Sequence, residues 1–369
     1  MPNMRFLLLT TVLLIFSLGV VMIFNTSSAE VLDHASTRGM HYALIRQMIF
    51  AALSLLAAAT VWHLGYHNVI RLSLPLLVFF SFLLVLTLIP GIGQERNGAR
   101  RWVGFGALGL QPSEFVKYII PVYFVSCMSS FGTTEISIRQ FLRVLGVVLI
   151  PMLLIMAEPD NGTVAVIGVS LLGLCVITGI PLRYWGWPML GIIVVAVIAA
   201  LNMPYVQGRI QVYLNPELDL LGRGHQAFQS KIAAGSGGVF GRGPGMSLQK
   251  LSYLPEAQND YIAAIYAEEF GFVGISFLIG LYMLLVYIGF HIAHQARDRQ
   301  GYCLAAALTF LICIQAFFNL GVVSGLLPST GLNLPFFSQG GTSLMVNVVS
   351  IAVLLRISQS SEELRHFDL

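Results

Sequence analysis

Charged side chains are scarce in this sequence. They make up 10% of its 369 residues, whereas apolar residues make up 56%, and the mean hydropathy is +0.80. So few charges cannot coat a water-exposed surface, which excludes a soluble enzyme and a nucleic-acid-binding protein. The net charge of +3 indicates no partner. The composition is that of an integral membrane protein.

Cysteine is also rare, and its spacing supports no chemistry. Four cysteines lie singly inside apolar stretches, without a Cys-x-x-Cys pair. This argues against a disulfide framework, a zinc site and a redox pair. The sequence also lacks the Gly-x-x-x-x-Gly-Lys-[Ser/Thr] spacing of a P-loop, so nothing supports nucleotide hydrolysis. The cysteines are Cys127, Cys175, Cys303 and Cys313.

Long apolar runs are abundant instead. A helix needs ~20 apolar residues to cross the ~30 Å hydrocarbon core of a bilayer. Ten runs approach that length, at about 6–24, 44–62, 72–90, 114–130, 144–157, 163–180, 185–201, 272–290, 302–326 and 341–356. The first is too long for the apolar region of a cleaved signal peptide. The runs predict an all-α bundle of about ten transmembrane helices, forming one polytopic domain over 1–369.

Basic residues in the short connections predict the orientation. Short loops rich in Lys and Arg lie on the cytoplasmic side, whereas long loops cross largely regardless of charge. Both termini are therefore expected in the cytoplasm. The stretch 202–259 is expected to form a large, partly folded extracytoplasmic loop, because it holds too many apolar residues for a disordered tether. The basic residues of the short loops are Arg71, Arg139, Arg143, Arg183, Arg297 and Arg299.

Two arginines precede the fourth run. Arg100 and Arg101 stand beside Trp102, at the expected outer mouth of the bundle. A guanidinium group presents a rigid fork of donors that suits a phosphate or pyrophosphate. The same residues equally suit an interfacial anchor in an aromatic belt. Glu114 and Lys117 follow at a spacing of three, which puts them on one helix face and predicts an ion pair inside the membrane.

Carboxylates stand beside other runs. Glu158 and Asp160 lie in a Pro-Asp-Asn-Gly stretch that is typical of a capped turn, although two such carboxylates also suit a cation or substrate hydroxyls. Asp260 precedes the eighth run, where partial desolvation raises the pKa of a carboxyl toward that of a general base. Glu268 and Glu269 are better explained as charges at a helix terminus or interface than as catalytic groups.

Glycine and other helix breakers cluster in two stretches. The first, 235–243, is flanked or interrupted by Lys231 and Arg242, and its main-chain amides suit an anion, although flexible turns are a common alternative. The second, 328–343, carries no charge. Irregular backbone at membrane depth is tolerated only where it is buried in protein or lines a wet cavity, and we expect a cavity wall.

These segments, taken in order, resemble the SEDS family of bacterial shape, elongation, division and sporulation proteins, which includes FtsW and RodA. The resemblance implies a peptidoglycan glycosyltransferase that polymerises lipid II outside the bacterial cytoplasmic (inner) membrane. It also implies a class B penicillin-binding transpeptidase and division or elongation proteins as partners. The division branch, FtsW, is slightly favoured over RodA. The segments that carry the resemblance are 97–102, 111–114, 229–243, 254–260 and 331–341.

The resemblance also implies roles for single residues. Asp260 matches the family's essential aspartate and would act as general base on the acceptor sugar. Arg101, together with Lys231 or Arg242, would stabilise the leaving pyrophosphate. A divalent cation, Mg²⁺ or Mn²⁺, near Asp260 is compatible with this scheme, but no dense ligand cluster requires one. Further residues expected to bind substrate are Glu114, Lys117, Asp160 and Ser338.

Two positions depart from the family pattern. Gln258 stands where a histidine is usual, which removes a proton relay through that ring, and Gln339 replaces a tyrosine. Neither change removes Asp260. Two other functions remain open at this point: a lipid II flippase, which would need a polar path across the bilayer, and a non-catalytic scaffold that recruits a transpeptidase.

Overall fold

The structure is a computed structural model that describes residues 2–34, 41–96, 99–105, 108–130, 137–214, 225–250 and 258–365. It is mostly helical, as predicted. The elements in chain order are α1 (Pro2–His34), α2 (Tyr42–Leu64), α3 (Tyr66–Arg71), α4 (Ser73–Leu88), β1 (Gln94–Arg96), β2 (Ala99–Phe105), β3 (Leu108–Leu110), α5 (Pro112–Ser130), α6 (Ile138–Ala157), α7 (Asn161–Ile177), α8 (Leu182–Leu201), α9 (Pro204–Leu214), α10 (His225–Ser236), α11 (Ile262–His294), α12 (Arg299–Val323) and α13 (Gly341–Arg365).

The apolar runs coincide with helices. Each of the ten predicted runs lies largely within one of α1, α2, α4, α5, α6, α7, α8, α11, α12 and α13. Within the described part of the chain, six of these (α1, α2, α6, α11, α12 and α13) are long and apolar enough to cross a membrane. Three more helices, α4, α7 and α8, are also apolar, but their apolar stretches are at most 17 residues long. The polar residues at the start of α5 set it apart from both groups.

A small sheet between α4 and α5 was not predicted. β1, β2 and β3 form a three-stranded antiparallel sheet in the order β1-β2-β3. Gln94 pairs with Trp102, and Val103 pairs with Leu110. Side chains alternate between the two faces of a strand, so β2 carries Arg101 on the face opposite Trp102.

Helix α12 lies in the interior of the bundle. It packs against α11, α7 and α5, while α13 packs along α2. The apolar windows of α12 and α13 are 67% and 72% buried, against 17% for α2. Polar residues on α12 therefore face other protein elements rather than lipid.

Helix α11 is broken at Gly271, whose φ of 64° and ψ of −162° are not helical. The break coincides with the start of the eighth predicted run. A Cβ at Gly271 would lie 2.3 Å from the main-chain nitrogen of Gly241, so the glycine-rich segment passes directly against the break. The stretch 202–259, predicted as an outer loop, contains α9, α10 and this segment. Its parts at 215–224 and 251–257 lie outside the described residues.

Candidate active site

Strand β2 delivers Arg101 to the turn between α6 and α7. The Arg101 guanidinium donates through Nε to the Glu158 carbonyl at 2.9 Å and through Nη2 to the Pro159 carbonyl at 2.6 Å. Its Nη1 lies 4.0 Å from Asp160 Oδ1, and the side chain remains 20% exposed. The structure therefore brings together two of the predicted substrate-binding residues, Arg101 and Asp160, with a partly accessible guanidinium.

Asp160 is the N-cap of α7. Its carboxylate accepts from the Thr163 main-chain N–H at 3.3 Å and from the Thr163 hydroxyl at 2.9 Å. Gln111, just before α5, donates to Asp160 at 3.4 Å, and its main-chain N–H donates to the Thr342 hydroxyl at 3.2 Å. The sequence predicted a capped turn here with threonine as the cap; the turn is capped, but by Asp160, and Thr163 is the donor. These bonds also join the starts of α5, α7 and α13 around Asp160.

Glu158 is buried in the same turn. Its side chain is 1% exposed and accepts a hydrogen bond from the Thr87 hydroxyl of α4. Its Oε2 is buried without a hydrogen-bond partner among the described residues. Burial raises the pKa of Glu158 to about 8, because desolvation disfavours the charged form. The Glu158 carboxyl is therefore mostly neutral at neutral pH. The negative charge that faces the Arg101 guanidinium is then that of Asp160.

The predicted pair of Glu114 and Lys117 is confirmed. Lys117 Nζ lies 2.8 Å from both carboxylate oxygens of Glu114, and the two residues are 0% and 7% exposed, respectively. The adjacent Tyr118 hydroxyl donates to Asn347 Oδ1 of α13 at 2.5 Å. Lys117 Nζ lies 5.7 Å from the centroid of the Tyr118 ring, so the pair lies beside a hydrogen bond that joins α5 to α13. Its contact with substrate stays a prediction.

Asp260 lies in the turn that precedes α11. Its carbonyl accepts from Asn319 Nδ2 of α12 at 2.8 Å. A Cβ at Gly331 would lie 3.7 Å from Asp260 Oδ2, and Gly331 has a φ of +73°, a conformation that glycine adopts without steric cost. The Asp260 carboxylate thus faces the main chain of the segment that joins α12 to α13.

That joining segment, 324–340, separates the two acidic groups. On one side Gly331 approaches Asp260; on the other, a Cβ at Gly162 would lie 2.4 Å from the Thr330 carbonyl oxygen. Gly162 follows Asp160 by two residues. Asp160 and Asp260 are therefore brought to the two sides of one stretch of irregular backbone, Thr330–Gly331.

Ser338 has a structural contact in the same segment. It is 4% exposed, and its hydroxyl accepts from the Leu334 main-chain N–H at 2.9 Å. The Asn333 side chain donates to the Gln339 carbonyl at 3.3 Å. This part of the predicted cavity wall is thus a tightly folded turn that Ser338 stabilises. The contact of Ser338 with substrate stays a prediction.

The glycine-rich segment surrounds two carboxylates of the protein itself. Glu268 and Glu269 are 0% and 1% exposed. Glu268 accepts from the Ser247 hydroxyl at 2.5 Å and the Leu248 main-chain N–H at 3.1 Å. Glu269 accepts from the Gly245 main-chain N–H at 3.0 Å. The amides that meet these carboxylates follow the predicted segment 235–243. Within it, the Arg242 and Gly243 N–H groups donate to the main-chain carbonyls of Glu268 and Glu269, at 3.0 Å each, and the binding of a further anion stays a prediction.

Cations complete this arrangement, which we call the glutamate cradle (residues 237–250 with Glu268 and Glu269). Arg242 Nη1 lies 3.4 Å from Glu268, and Lys250 Nζ lies 3.2 Å from Glu269. Asn25 of α1 donates to both oxygens of Glu269, at 2.8 and 2.7 Å, and accepts from Lys250 at 2.7 Å. Arg242, expected to bind pyrophosphate, thus has a carboxylate partner within the fold.

Lys231 of α10 lies outside the glutamate cradle, at the end of α12. A Cβ at Gly325, just after α12, would lie 2.0 Å from Lys231 Cε and 2.9 Å from its Nζ. The Lys231 side chain therefore covers the start of the segment 324–340. Its predicted contact with pyrophosphate is a matter for experiment.

Reasoning from motifs missed the polar residues that hold this site. Gln315 and Asn319 of α12 are 0% and 1% exposed. Gln315 donates to the Asn333 carbonyl at 2.8 Å, and Asn319 bonds the Leu332 carbonyl as well as that of Asp260. A signal was available, because amides inside an apolar span are costly and usually have a partner. Across the described ranges, no group of three or more His, Cys, Asp or Glu side chains could hold a metal ion.

Sequence comparisons cover nearly the whole chain. Residues 5–363 match the family model described as cell cycle protein and named for FtsW, RodA and SpoVE. Stage V sporulation protein E of Bacillus subtilis (strain 168) is 38% identical over 98% of each chain. The probable peptidoglycan glycosyltransferase FtsW of Legionella pneumophila is 35% identical, over 94% of this chain and 89% of that protein.

Solved structures share the fold. A chain from the work "Structural coordination of polymerization and crosslinking by a peptidoglycan synthase complex" matches with a TM-score of 0.76 and 25% identity, over 96% of this chain and 97% of that one. The rod shape determining protein RodA of Thermus thermophilus matches with a TM-score of 0.70 and 26% identity, over 96% of both chains. By family model, relatives and fold, the chain belongs to the FtsW, RodA and SpoVE family of cell cycle proteins.

Proposed function

We propose that the chain is a peptidoglycan glycosyltransferase that polymerises lipid II at the outer face of the bacterial cytoplasmic membrane. Relatives that match over most of its length are named peptidoglycan glycosyltransferase FtsW, and one structural neighbour comes from a peptidoglycan synthase complex. The observation that carries the proposal is the placement of Asp260 and the Arg101–Asp160 group on two sides of Thr330–Gly331. A carboxylate suited to act as a base and a partly exposed cation thus both border the same two residues of backbone.

The proposed reaction is a single displacement. Asp260 takes the proton from the acceptor sugar's hydroxyl, whose oxygen attacks the donor's anomeric carbon. The bond from that carbon to the pyrophosphate oxygen breaks, the electron pair leaves with undecaprenyl pyrophosphate, and the configuration inverts. Arg101 stabilises the charge on the leaving group. Among the three predicted cations Arg101 is our first choice, because its partner Asp160 belongs to the turn that borders Thr330–Gly331 and hence Asp260, whereas Arg242 lies in the glutamate cradle.

The proposed setting is the inner membrane of a bacterium. Ten spans with both termini in the cytoplasm put Arg101, Asp160 and Asp260 on the outer side, where the head group of lipid II would lie. Support comes from the ten helices that coincide with the apolar runs. A class B penicillin-binding transpeptidase is the expected partner, and the division branch, FtsW, remains slightly favoured.

The buried pair of Glu114 and Lys117 favours one competing function, a lipid II flippase, because charges inside a span suit transport. Polymerisation is better supported, since Asp160 and Asp260 each stand immediately before a helix rather than along a path through the bundle. A non-catalytic scaffold would tolerate loss of the Asp260 carboxylate.

The test is polymerisation of labelled lipid II by the purified chain with its cognate transpeptidase. Asp260→Asn should abolish glycan products, because the amide cannot accept the proton. Asp298→Asn is the matched control: Asp298 caps α12, in a connection expected on the cytoplasmic side, and asparagine is an equally good cap. Glycan from both variants would favour the scaffold. Translocation into liposomes without any glycan from the wild type would favour the flippase.

A further inference from the structure

Asn319 is a buried amide with two main-chain partners. Its side chain is 1% exposed, and Nδ2 donates to the Asp260 carbonyl at 2.8 Å and to the Leu332 carbonyl at 2.7 Å. An amide nitrogen carries two hydrogens, so both are engaged. One side chain of α12 therefore connects the turn before α11 to the segment that joins α12 to α13.

Those two carbonyls flank the proposed base. Asp260 supplies one, and Leu332 follows Gly331, whose Cβ position lies 3.7 Å from Asp260 Oδ2. Thr330 precedes Gly331, and its carbonyl lies against Gly162, near the Asp160 cap. The bonds from Asn319 thus fix the Asp260 turn relative to the backbone that borders the Arg101–Asp160 group.

We propose that Asn319 is a positioning residue for glycosyl transfer, which holds Asp260 and Gly331–Leu332 in register so that the carboxylate meets the acceptor hydroxyl. The proposal rests on the proposed function and does not put Asn319 in contact with substrate. Misplacement of a reacting group by 1 Å can cost about 10²-fold in rate. Loss of this register should therefore lower turnover more than substrate binding.

Gln315 provides a matched control one helical turn earlier. It is also fully buried and donates to the Asn333 carbonyl at 2.8 Å. Both residues thus tie α12 to the same segment through an amide, but the bond from Gln315 ends on Asn333 rather than on the Asp260 turn. Replacing each with leucine removes its bonds to the main chain, two at Asn319 and one at Gln315, and leaves an apolar side chain that suits a span.

The experiment compares kcat and KM for lipid II polymerisation by the wild type, Asn319→Leu and Gln315→Leu, together with their melting temperatures in detergent. We expect Asn319→Leu to lower kcat by about 10²-fold with KM close to that of the wild type, whereas the melting temperature should fall in both leucine variants because buried carbonyls lose their donors. Gln315→Leu should retain most of the kcat. Asn319→Asp, which keeps the shape but loses both donors, should lose kcat as Asn319→Leu does.

Three results would overturn the inference. The first is a wild-type kcat for Asn319→Leu. The second is an equal loss of kcat in Gln315→Leu, or a loss of kcat that follows the fall in melting temperature from variant to variant, since either would mean that α12 simply supports the fold. The third is a wild type that makes no glycan, which would overturn the proposed function as well, whereas the first two leave that function intact.

Discussion

The main-chain N–H of Gln339 donates to the carbonyl of Gln258 at 3.0 Å. These glutamines stand at the two positions that the resemblance singles out as departures from the family pattern, so the two positions meet in space, and Gln258 precedes Asp260 by two residues. Their shared bond is between main-chain atoms and does not depend on either side chain. Gln258 adds a side-chain bond, because its Oε1 accepts from the Ser27 hydroxyl of α1 at 3.1 Å.

Gln339 offers a test of that main-chain bond. Gln339→Leu keeps the N–H and removes an Oε1 that is buried without a partner within the described residues, so we expect stability to be retained or raised. Gln339→Pro removes the N–H and should cost about 1–3 kcal/mol, because the Gln258 carbonyl loses its donor. Thermal unfolding in detergent measures both. Equal stability of the two variants would contradict the importance of the bond.

Arg101 and Arg100 form a natural pair of test and control. Arg101→Lys loses the planar fork that holds the carbonyls of Glu158 and Pro159, and we expect lipid II polymerisation to fall by about 10²-fold, as for loss of a charge-stabilising donor. Arg100→Lys should change it little, because Arg100 makes an exposed pair with Glu95, and such pairs contribute little. Similar losses in both variants would argue for a general effect of the sheet.

Glu158 predicts a pH-dependent stability. Its pKa is raised from 4.5 to about 8, so the folded state binds its proton more tightly than the unfolded state does. The resulting stabilisation is fully present below pH 4.5 and is lost as the pH rises through about 8. The neutral isostere Glu158→Gln escapes this loss. Its melting temperature relative to the wild type should therefore rise steadily between these pH values; a constant difference would show that Glu158 is ionised in the fold.

The break in α11 predicts a position-specific cost of alanine. At Gly271 the backbone has a φ of +64° and a Cβ would lie 2.3 Å from Gly241 N, so Gly271→Ala should destabilise the protein by about 1–3 kcal/mol. Gly280→Ala, in the same helix, has nothing within 4 Å of the added Cβ and should be neutral or stabilising by up to about 1 kcal/mol. Thermal unfolding of the two variants separates local strain from a general intolerance of α11 to alanine.

Local patterns in the sequence predicted the features with short-range causes. Run length placed ten helices, and the spacing of Glu114 and Lys117 predicted their ion pair because residues three apart share a helix face. The sheet was missed although Asn97-Gly98, which lies outside the described residues, is a pair typical of hairpin turns between β1 and β2.

Long-range contacts had no such local cause. Nothing near Arg101 in the sequence indicates that its side chain reaches the turn at Glu158, because that contact depends on how β2 packs against α4 and α5. The glycine-rich segment 235–243 was predicted to suit an anion, which stays a prediction; the amides of Arg242 and Gly243 donate to the main-chain carbonyls of Glu268 and Glu269, contacts that no local pattern indicated. Asn319 was overlooked because a lone amide in an apolar run shows that a partner exists without showing which one.

The glutamate cradle has an electrostatic consequence. It contains two carboxylates and two cations, paired as Arg242 with Glu268 and Lys250 with Glu269. Charges that cancel in this way produce a field that fades quickly with distance, so the cradle contributes little long-range attraction for an anionic lipid. The dependence of substrate capture on ionic strength should therefore originate mainly at charges outside the cradle.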